Sequence, residues 1–289
     1  MDERLQTRIQ RYGWDLAASD YEPLWGAQLA GVQHALLAAA ALLPGEQVLD
    51  LACGTGHVTL QAARAVGGLG SEMGSVVGVD LSARMVDTAQ QRALPNTRFV
   101  RMDAQHLALP DQQFDVVLCS LGLMYVPDPA QALREMQRVL KPGGRLVLSV
   151  WGERARCGWA ALFEIVDAEV ASEVCPLFFG LGRGDSLASL CSQTGFEQAL
   201  TQRLNSTLVY ANGDEACRAA FVGGPVAMAW SRFSLDTRNR VCARYLDKLS
   251  AWRNGAGYEV PAEFVVVSAR MAHAPGPRPQ GAGFSTTPA

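Results

Sequence analysis

The sequence predicts an α/β protein built around a doubly wound, mostly parallel sheet. Short, continuously apolar runs such as 47–52 and 114–123 alternate with segments of helical periodicity, which is the pattern of successive strand–helix units. Continuous apolar runs are typical of strands that helices cover on both faces. A glycine-rich turn follows the first run, at the carboxyl end of a strand, where open α/β sheets bind ligands.

The first 44 residues are predicted to be helical, because apolar residues recur along them at helical spacing. Ser19 or Asp20 is a candidate N-cap of this helix. Pro44 and Gly45 are expected to end it.

Residues 45–152 contain the regular part of the pattern. Strands are predicted at 47–52, 75–81, 97–104, 114–123 and 143–152, and helices at 57–66, 82–94 and 129–140. Ser82 is a candidate N-cap of the second of these helices. Because each strand returns through a connecting segment, we expect the sheet to be parallel.

The rest of the chain is less regular. Helices are predicted at 158–170, 185–196, 213–233 and 236–254, a loop at 175–184, and strands at 197–211 and 262–271. The strand at 197–211 is long enough to bend. The tail at 273–289 is rich in Pro, Gly and Ser and is predicted to be disordered.

Composition and charge restrict the function classes. Hydrophobic residues make up 49% of the chain and charged residues only 18%, below the roughly 25% of an average globular protein, so a substantial core is expected. The net charge is −3 and neither half is basic, which gives no electrostatic footprint for nucleic acid.

The sequence also predicts a cytoplasmic protein without stable membrane insertion. The N-terminus is charged and polar, unlike a signal peptide, and the apolar stretch 35–45 falls short of the roughly 20 residues that cross a bilayer. The seven cysteines show no CxxC and no Cys/His ligand spacing, so we expect reduced, buried thiols and no metal site.

The glycine turn lies in the stretch VLDLACGTGHVTL, residues 48–60. A dinucleotide fingerprint needs a third glycine where this chain has Thr59, and a phosphate-binding P-loop needs a Gly-Lys-Ser/Thr that does not follow. Asp50 precedes Gly54 by four residues, and its carboxylate suits a cationic or hydroxyl-bearing ligand better than a pyrophosphate.

Four motifs in this order resemble the class I S-adenosylmethionine-dependent methyltransferases, in particular the small-molecule branch with the ubiquinone and menaquinone C-methyltransferases. They are the glycine turn itself, VVGVDLS, MDAQHLALPDQQFDVVLCSLGLMYVPD and REMQRVLKPGGRLVLSVW. The resemblance extends to residue 152. It implies a Rossmann-like sheet of seven strands with an antiparallel last strand, in which 204–211 pairs with 262–270.

The resemblance also implies how one domain is organised. Residues 1–44 would form a helical N-terminal lid, 45–152 the S-adenosylmethionine-binding core, and 153–272 the acceptor-pocket helices with the last two strands. The cofactor-binding residues that it implies are Tyr21, Trp25, Asp50, Ala52, Gly54, Thr55, Gly56, Asp80, Leu81, Met85, Asp103, Ala104, Cys119 and Leu121.

Several of these residues have a physical reason to act there. The glycines let backbone approach the ligand without a Cβ in the way. Asp80 follows Gly56 by 24 residues, near the roughly 20-residue spacing of an acidic residue that binds ribose hydroxyls. The resemblance places Asp103 and Ala104 beside the adenine amino group, Asp50 near the methionine ammonium, and Tyr21 and Trp25 in a lid.

The function implied is methyl transfer from S-adenosylmethionine to a small, aromatic or lipophilic acceptor, with S-adenosylhomocysteine as product. Aromatic and Met side chains suited to such an acceptor are Tyr12, Trp14, Tyr21, Trp25, Trp151, Trp159, Phe178, Phe179, Phe221, Met228, Trp230 and Phe233. The sequence identifies no catalytic base, and it leaves open the acceptor atom and the oligomeric state. A non-catalytic or regulatory cofactor-binding homologue and an NAD-type oxidoreductase with a degenerate turn remain the alternatives.

Overall fold

A computed structural model of the protein describes residues 3–67, 73–170 and 178–272. The tail predicted at 273–289, and the first residues of the loop predicted at 175–184, lie outside these ranges. In the described part of the chain, no helix combines the length and the apolar character that a membrane span requires.

The strands form one twisted sheet in the order β3-β2-β1-β4-β5-β8-β6. Their bounds are β1 Gln47–Leu51, β2 Ser75–Asp80, β3 Thr97–Arg101, β4 Phe114–Ser120, β5 Leu140–Trp151, β6 Phe196–Tyr210, β7 Arg253–Asn254 and β8 Gly257–Met271. The first five strands are parallel, as predicted, and the order reverses beside β1. This reversal opens a crevice at the carboxyl ends of β1 and β4.

The last strands confirm the predicted antiparallel pairing. β8 lies between β5 and β6 and is antiparallel to both, with Leu204 opposite Phe264 and Tyr210 opposite Tyr258. β6 bends where its register shifts between Glu197 and Leu200. The two-residue strand β7 pairs with β8 and raises the strand number from the predicted seven to eight.

The first helix, α1 (Glu3–Ala40), is longer at its start than the capping signals suggested. The predicted N-cap at Ser19 or Asp20 is wrong, because both residues lie inside this helix. Ala17 and Ala18, just upstream, are buried, and Asp20 forms an ion pair with Arg218 at 3.1 Å. Packing against the rest of the protein therefore extends the helix past these polar residues.

The remaining helices cover both faces of the sheet. They are α2 His57–Val66, α3 Ala83–Gln90, α4 Pro129–Val139, α5 Ala161–Asp167, α6 Ser186–Gln193, α7 Gly213–Phe221, α8 Ala227–Arg232 and α9 Leu235–Leu249. Ser82 is the N-cap of α3, as predicted, and its hydroxyl accepts a hydrogen bond from the Met85 amide.

Two predicted helices in the last third of the chain are shorter than expected. The segment 213–233 forms two helices, α7 and α8, separated at Gly223, Gly224 and Pro225. Pro225 has no amide hydrogen to continue the hydrogen-bond ladder of α7. The helix predicted at 236–254 ends at Leu249, because the chain then turns into β7 to pair with β8.

Candidate active site

The carboxyl ends of β1 and β4 carry two turns with unusual backbone geometry. Ala52 follows β1 with φ 56°, and Leu121 follows β4 with φ 57°. A residue with a Cβ rarely adopts this left-handed conformation, which costs about 1–3 kcal/mol and is concentrated at functional sites. Both residues line one open cleft of about 790 Å³ between the sheet edge and α1.

Gly122 lets these two turns approach each other. A Cβ at this position would lie 2.3 Å from the Ala52 Cβ and 3.1 Å from the Cys119 Sγ. Its φ of −101° is accessible to any residue, so the requirement for glycine here is steric. The sequence shows a glycine at position 122, but only the fold shows which side chains this glycine approaches.

Asp80 lies at the end of β2 and holds the glycine turn in place. Its Oδ2 accepts a hydrogen bond from the Gly54 amide at 2.9 Å, and its Oδ1 accepts one from the Ser82 amide at 2.9 Å. Burial raises the pKa of Asp80, while these hydrogen bonds lower it. Each carboxylate oxygen has a second lone pair, so Asp80 can position the turn and still accept hydroxyls from a ligand in the cleft.

Asp50 lies behind the turn, inside β1, and is almost completely buried. Its Oδ2 accepts a hydrogen bond from the Thr59 hydroxyl at 2.6 Å, while its buried Oδ1 has no hydrogen-bond partner. Burial raises the pKa of Asp50 to about 7; the Thr59 hydrogen bond lowers it and the charge of Asp80 raises it further. An unpaired buried carboxylate oxygen is costly, so a cationic or hydrogen-bond-donating ligand nearby would stabilise it.

The side of the cleft formed by β3 is lined by Met102, Asp103 and Ala104. The Oδ1 of Asp103 accepts a hydrogen bond from the Gln105 amide at 2.9 Å, which fixes the carboxyl group at the cleft edge. Leu81 and the buried Met85 contribute apolar surface beside it. The combination of a carboxylate edge and apolar walls suits a flat base with an exocyclic amino group.

Helix α1 forms the opposite wall. Thr7, Gln10, Trp14 and Tyr21 share one helix face and line the cleft. Sequence reasoning missed Thr7 and Gln10, although their helical spacing with Trp14 and Tyr21 was a usable signal. Burial and the nearby carboxylate of Asp80 raise the pKa of the Tyr21 phenol, so it stays protonated.

Polar contacts hold α1 across the cleft. The Asp15 Oδ1 accepts hydrogen bonds from the Ser82 hydroxyl at 2.6 Å and from the Arg84 amide at 3.2 Å, at the start of α3. Glu22 pairs with Arg92, and its Oε1 lies 4.0 Å from the His57 Nδ1. Burial lowers the pKa of His57, although the charge of Glu22 opposes this effect.

A second cavity of about 330 Å³ adjoins the cleft. The two share Trp14, Tyr21, Leu121 and Tyr125, so these residues form the boundary between them. The rest of the lining consists of Trp25, Leu29, Trp151, Trp159, Gly223, Gly224 and Pro225. Aromatic faces therefore dominate this cavity.

Trp25 belongs to this second cavity. Its Nε1 donates a hydrogen bond to the Ala219 carbonyl at 3.1 Å. Its ring lies 6.0 Å from each of the Trp151 and Trp159 rings. Trp25 is thus placed for contact with a second ligand.

The structure brings nine of the fourteen proposed cofactor residues together in the cleft: Tyr21, Ala52, Gly54, Asp80, Leu81, Met85, Asp103, Ala104 and Leu121. Asp50, Thr55, Gly56 and Cys119 lie behind its surface. Gly56 packs so closely that a Cβ there would lie 3.0 Å from the Phe99 ring, and burial raises the pKa of the Cys119 thiol to about 12.

Nine of the twelve residues expected around an acceptor fall into three groups, and the other three, Tyr12, Met228 and Phe233, line neither cavity. Trp14, Tyr21, Trp25, Trp151 and Trp159 line the second cavity. Phe178 and Phe179 lie behind it, with ring centroids 5.6 and 5.8 Å from Trp159. Phe221 stacks on Trp230 at 5.1 Å, away from the cavity, where the two rings join α7 and α8.

Comparison with known proteins agrees with this geometry. The family model for a methyltransferase domain matches residues 49–148. The chain is 31% identical over 182 residues to a demethylmenaquinone methyltransferase of Lactobacillus johnsonii, covering 56% of this chain and 72% of that protein. It is 45% identical over 109 residues to a ubiquinone/menaquinone biosynthesis C-methyltransferase of Azotobacter vinelandii, covering 36% of this chain and 42% of that protein. The chain spans about half the length of most of the curated relatives that it matches.

Solved structures share the fold over most of the chain. The YcgJ protein of Bacillus subtilis superposes with a TM-score of 0.57 at 20% identity, covering 84% of this chain and 98% of that one. Phosphoethanolamine N-methyltransferase 2 of Haemonchus contortus, in complex with S-adenosyl-L-methionine, superposes with a TM-score of 0.57 at 18% identity, covering 90% of this chain and 57% of that one. At these identities the likeness establishes the fold alone.

Proposed function

The chain belongs to the class I S-adenosylmethionine-dependent methyltransferases that include the ubiquinone and menaquinone C-methyltransferases, and we propose that it methylates a small, aromatic or lipophilic acceptor. The observation that carries this proposal is the pair of adjoining cavities. One has the polar and glycine-lined edge that a nucleoside ligand needs, and the other is aromatic. The residues that line both cavities lie where a methyl group could pass from one cavity to the other.

The first cleft fits S-adenosylmethionine. Asp80 would hold the ribose hydroxyls, and Asp103 would accept from the adenine amino group. Leu81 and Met85 would pack against the base. The turn at Gly54 leaves backbone accessible, and the unpaired Oδ1 of Asp50 lies behind it as an acceptor for positive charge, directly or through water.

When bound, the cofactor supplies a sulfonium-activated methyl group, so the protein mainly positions the acceptor and excludes water. Trp14, Tyr21 and Tyr125 enclose the boundary between the cavities, with Trp14 packed edge-on against both tyrosines at 5.7 and 5.0 Å. This packing would fix the direction from which an acceptor approaches. We propose in-line displacement in which alignment supplies most of the rate.

The second cavity is the proposed acceptor site. Its aromatic faces favour a flat or apolar molecule. The oxidoreductase alternative is not favoured, because the family match is to methyltransferases and the third fingerprint glycine is Thr59. A cytoplasmic location is part of the same proposal and rests on the free thiols of the described residues, five of which are buried.

A methyl-transfer assay tests the proposal. The protein would be incubated with methyl-labelled S-adenosylmethionine and a panel of tail-free naphthohydroquinones, phenols and aromatic amines, with products identified by mass. We expect at least one compound to gain a single methyl group. Turnover of none of them, with cofactor binding intact, would favour the non-catalytic homologue instead.

Leu29 offers a matched pair of variants for the acceptor site. It lines the second cavity but not the first. Leu29→Phe fills the cavity and should raise the acceptor KM at least tenfold, while Leu29→Ala enlarges it and should favour bulkier acceptors. Both should bind S-adenosylhomocysteine with unchanged affinity. Equal losses with every acceptor would place the acceptor site elsewhere.

A further inference from the structure

Helices α7 and α9 pack side by side in opposite directions, and two cysteines face each other across them. A Cβ on Gly213, at the start of α7, would lie 3.0 Å from the Leu246 side chain near the end of α9. One turn further along α7, Cys217 meets Cys242. At the end of α7 the Phe221 ring lies 5.5 Å from the Tyr245 ring. Cys217 is therefore opposite Cys242 in a tightly packed helix pair.

The Cys217 thiol reaches Cys242. The Cys217 Sγ lies 3.9 Å from the Cys242 carbonyl oxygen. Cys217 is buried, whereas Cys242 is partly exposed. The hydrogen bond between them lowers the pKa of Cys242 and raises that of Cys217. A partly exposed thiol of lowered pKa, beside a buried partner thiol, is the arrangement of an oxidisable pair.

We propose that Cys217 and Cys242 form a reversible disulfide when the protein meets a peroxide. This inference does not depend on the proposed function, because neither cysteine lines either cavity. Both sulfurs are free thiols in the structure.

The chemistry balances with hydrogen peroxide as the oxidant. The Cys242 thiolate attacks one peroxide oxygen, the O–O bond breaks, and a sulfenic acid and hydroxide form. The Cys217 sulfur then attacks the Cys242 sulfur, the S–O bond breaks, and the departing hydroxide takes the Cys217 proton as water. In total, two thiols lose two electrons and two protons, and one peroxide becomes two waters.

The bond would join α7 to α9 next to the second cavity. Ala219, two residues after Cys217, accepts the hydrogen bond from Trp25, and Gly223, Gly224 and Pro225 continue from α7 into the cavity wall. Oxidation would therefore fix the helix that supports that wall.

Peptide mapping of the full-length protein tests the proposal. The folded protein would be treated with a few equivalents of hydrogen peroxide, alkylated to block free thiols, and digested with trypsin. The linked species joins residues 204–218 to residues 241–244, because Arg203, Arg218, Arg240 and Arg244 supply the cleavage sites. We expect this linked peptide as the main oxidised product, and its disappearance after treatment with dithiothreitol.

Three variants sharpen the result. Cys217→Ala and Cys242→Ala should each abolish the linked peptide, and Cys217→Ala should leave Cys242 as a sulfenic acid that dimedone labels. Cys191→Ala removes a buried thiol on α6 and should leave the linkage unchanged. If native protein gives no linked peptide, or gives it only after unfolding in urea, the proposal is wrong; this readout on unmodified protein holds even if a variant fails to fold.

Discussion

Among single residues, Asp50 carries an electrostatic cost that the fold does not fully offset. It is buried, one of its carboxylate oxygens has no partner, and its pKa is raised to about 7. In the unfolded chain an Asp titrates near 3.9. The folded state therefore holds a proton that the unfolded state releases between these values, so this residue lowers stability as the pH rises from about 4 to about 7.

Asp50→Asn tests this cost. Asn does not ionise and can still accept from Thr59, so the pH-dependent loss disappears. The stability of the variant relative to wild type should rise by about 2–3 kcal/mol between pH 5 and pH 8. Urea unfolding at both pH values measures the difference, and other ionising groups cancel in the comparison. A difference that does not change with pH would show that Asp50 titrates normally.

Gly122 makes a second residue-level prediction. A methyl group there overlaps Ala52 and Cys119, so Gly122→Ala should destabilise the protein by about 1–3 kcal/mol through overpacking. It should also weaken S-adenosylhomocysteine binding, because both turns line the cleft. Gly31→Ala is the matched control, since nothing lies within 4 Å of the added atom and a helical Ala should stabilise by roughly 0.5–1 kcal/mol. Equal effects of the two substitutions would contradict the steric account.

Some residues of the candidate site could be predicted from the sequence and others could not. The glycine turn, Asp80 and Asp103 could be identified because each ends a predicted strand. The helical spacing of Thr7 and Gln10 with Trp14 and Tyr21 indicates that they share a helix face, but which face lines the cleft is known only once the position of the helix is known. Likewise, the sequence shows that Gly56 and Gly122 are glycines, but the side chains that each approaches most closely, Phe99 and Ala52, come from distant parts of the chain.

Among the elements, α1 connects the two cavities. It contributes Trp14 and Tyr21 to both, and Asp15 and Glu22 hold it to the start of α3 and to Arg92 and His57. These polar contacts are partly exposed, whereas the second half of the helix, from Leu24 to Ala40, packs into the core. Local opening of the first half of α1 should therefore cost less than global unfolding. This is the property that a lid over the cofactor needs.

Hydrogen exchange tests the proposed lid. Adding S-adenosylhomocysteine should slow amide exchange in residues 7–21 of α1, because the ligand would hold this face against the cleft. The amides of α9 serve as an internal control and should be unaffected. If α1 gains no protection while the ligand is bound, it is a fixed wall and not a lid.

The elements were predicted unevenly, and for physical reasons. The strands of the first half were identified closely because burial on both faces leaves a continuous apolar signal. The start of α1 was wrong because tertiary packing overrode the capping signals at Ser19 and Asp20. The break between α7 and α8 was not predicted, although Gly223, Gly224 and Pro225 are typical helix-ending residues. The strand β7 was not predicted because it forms only through its pairing with β8.

In the molecule as a whole, the two halves of the chain contribute to different cavities. Residues 45–152, which contain the parallel strands, form most of the cleft proposed for the methyl donor. The family model matches most of this segment. The second half supplies Trp159 and the Gly223–Pro225 turn around the aromatic cavity. The donor could therefore be inferred from the sequence, whereas the acceptor depends on segments without a shared motif.

Calorimetric titration with S-adenosylmethionine, S-adenosylhomocysteine and NADH tests whether the cleft binds the methyl donor. We predict saturable one-to-one binding of both sulfur ligands and none of NADH. Asp80→Asn should weaken that binding at least tenfold, and the exposed control Glu197→Gln should leave it unchanged. Binding of NADH in place of the sulfur ligands, or sulfur-ligand binding that is indifferent to Asp80, would contradict the account.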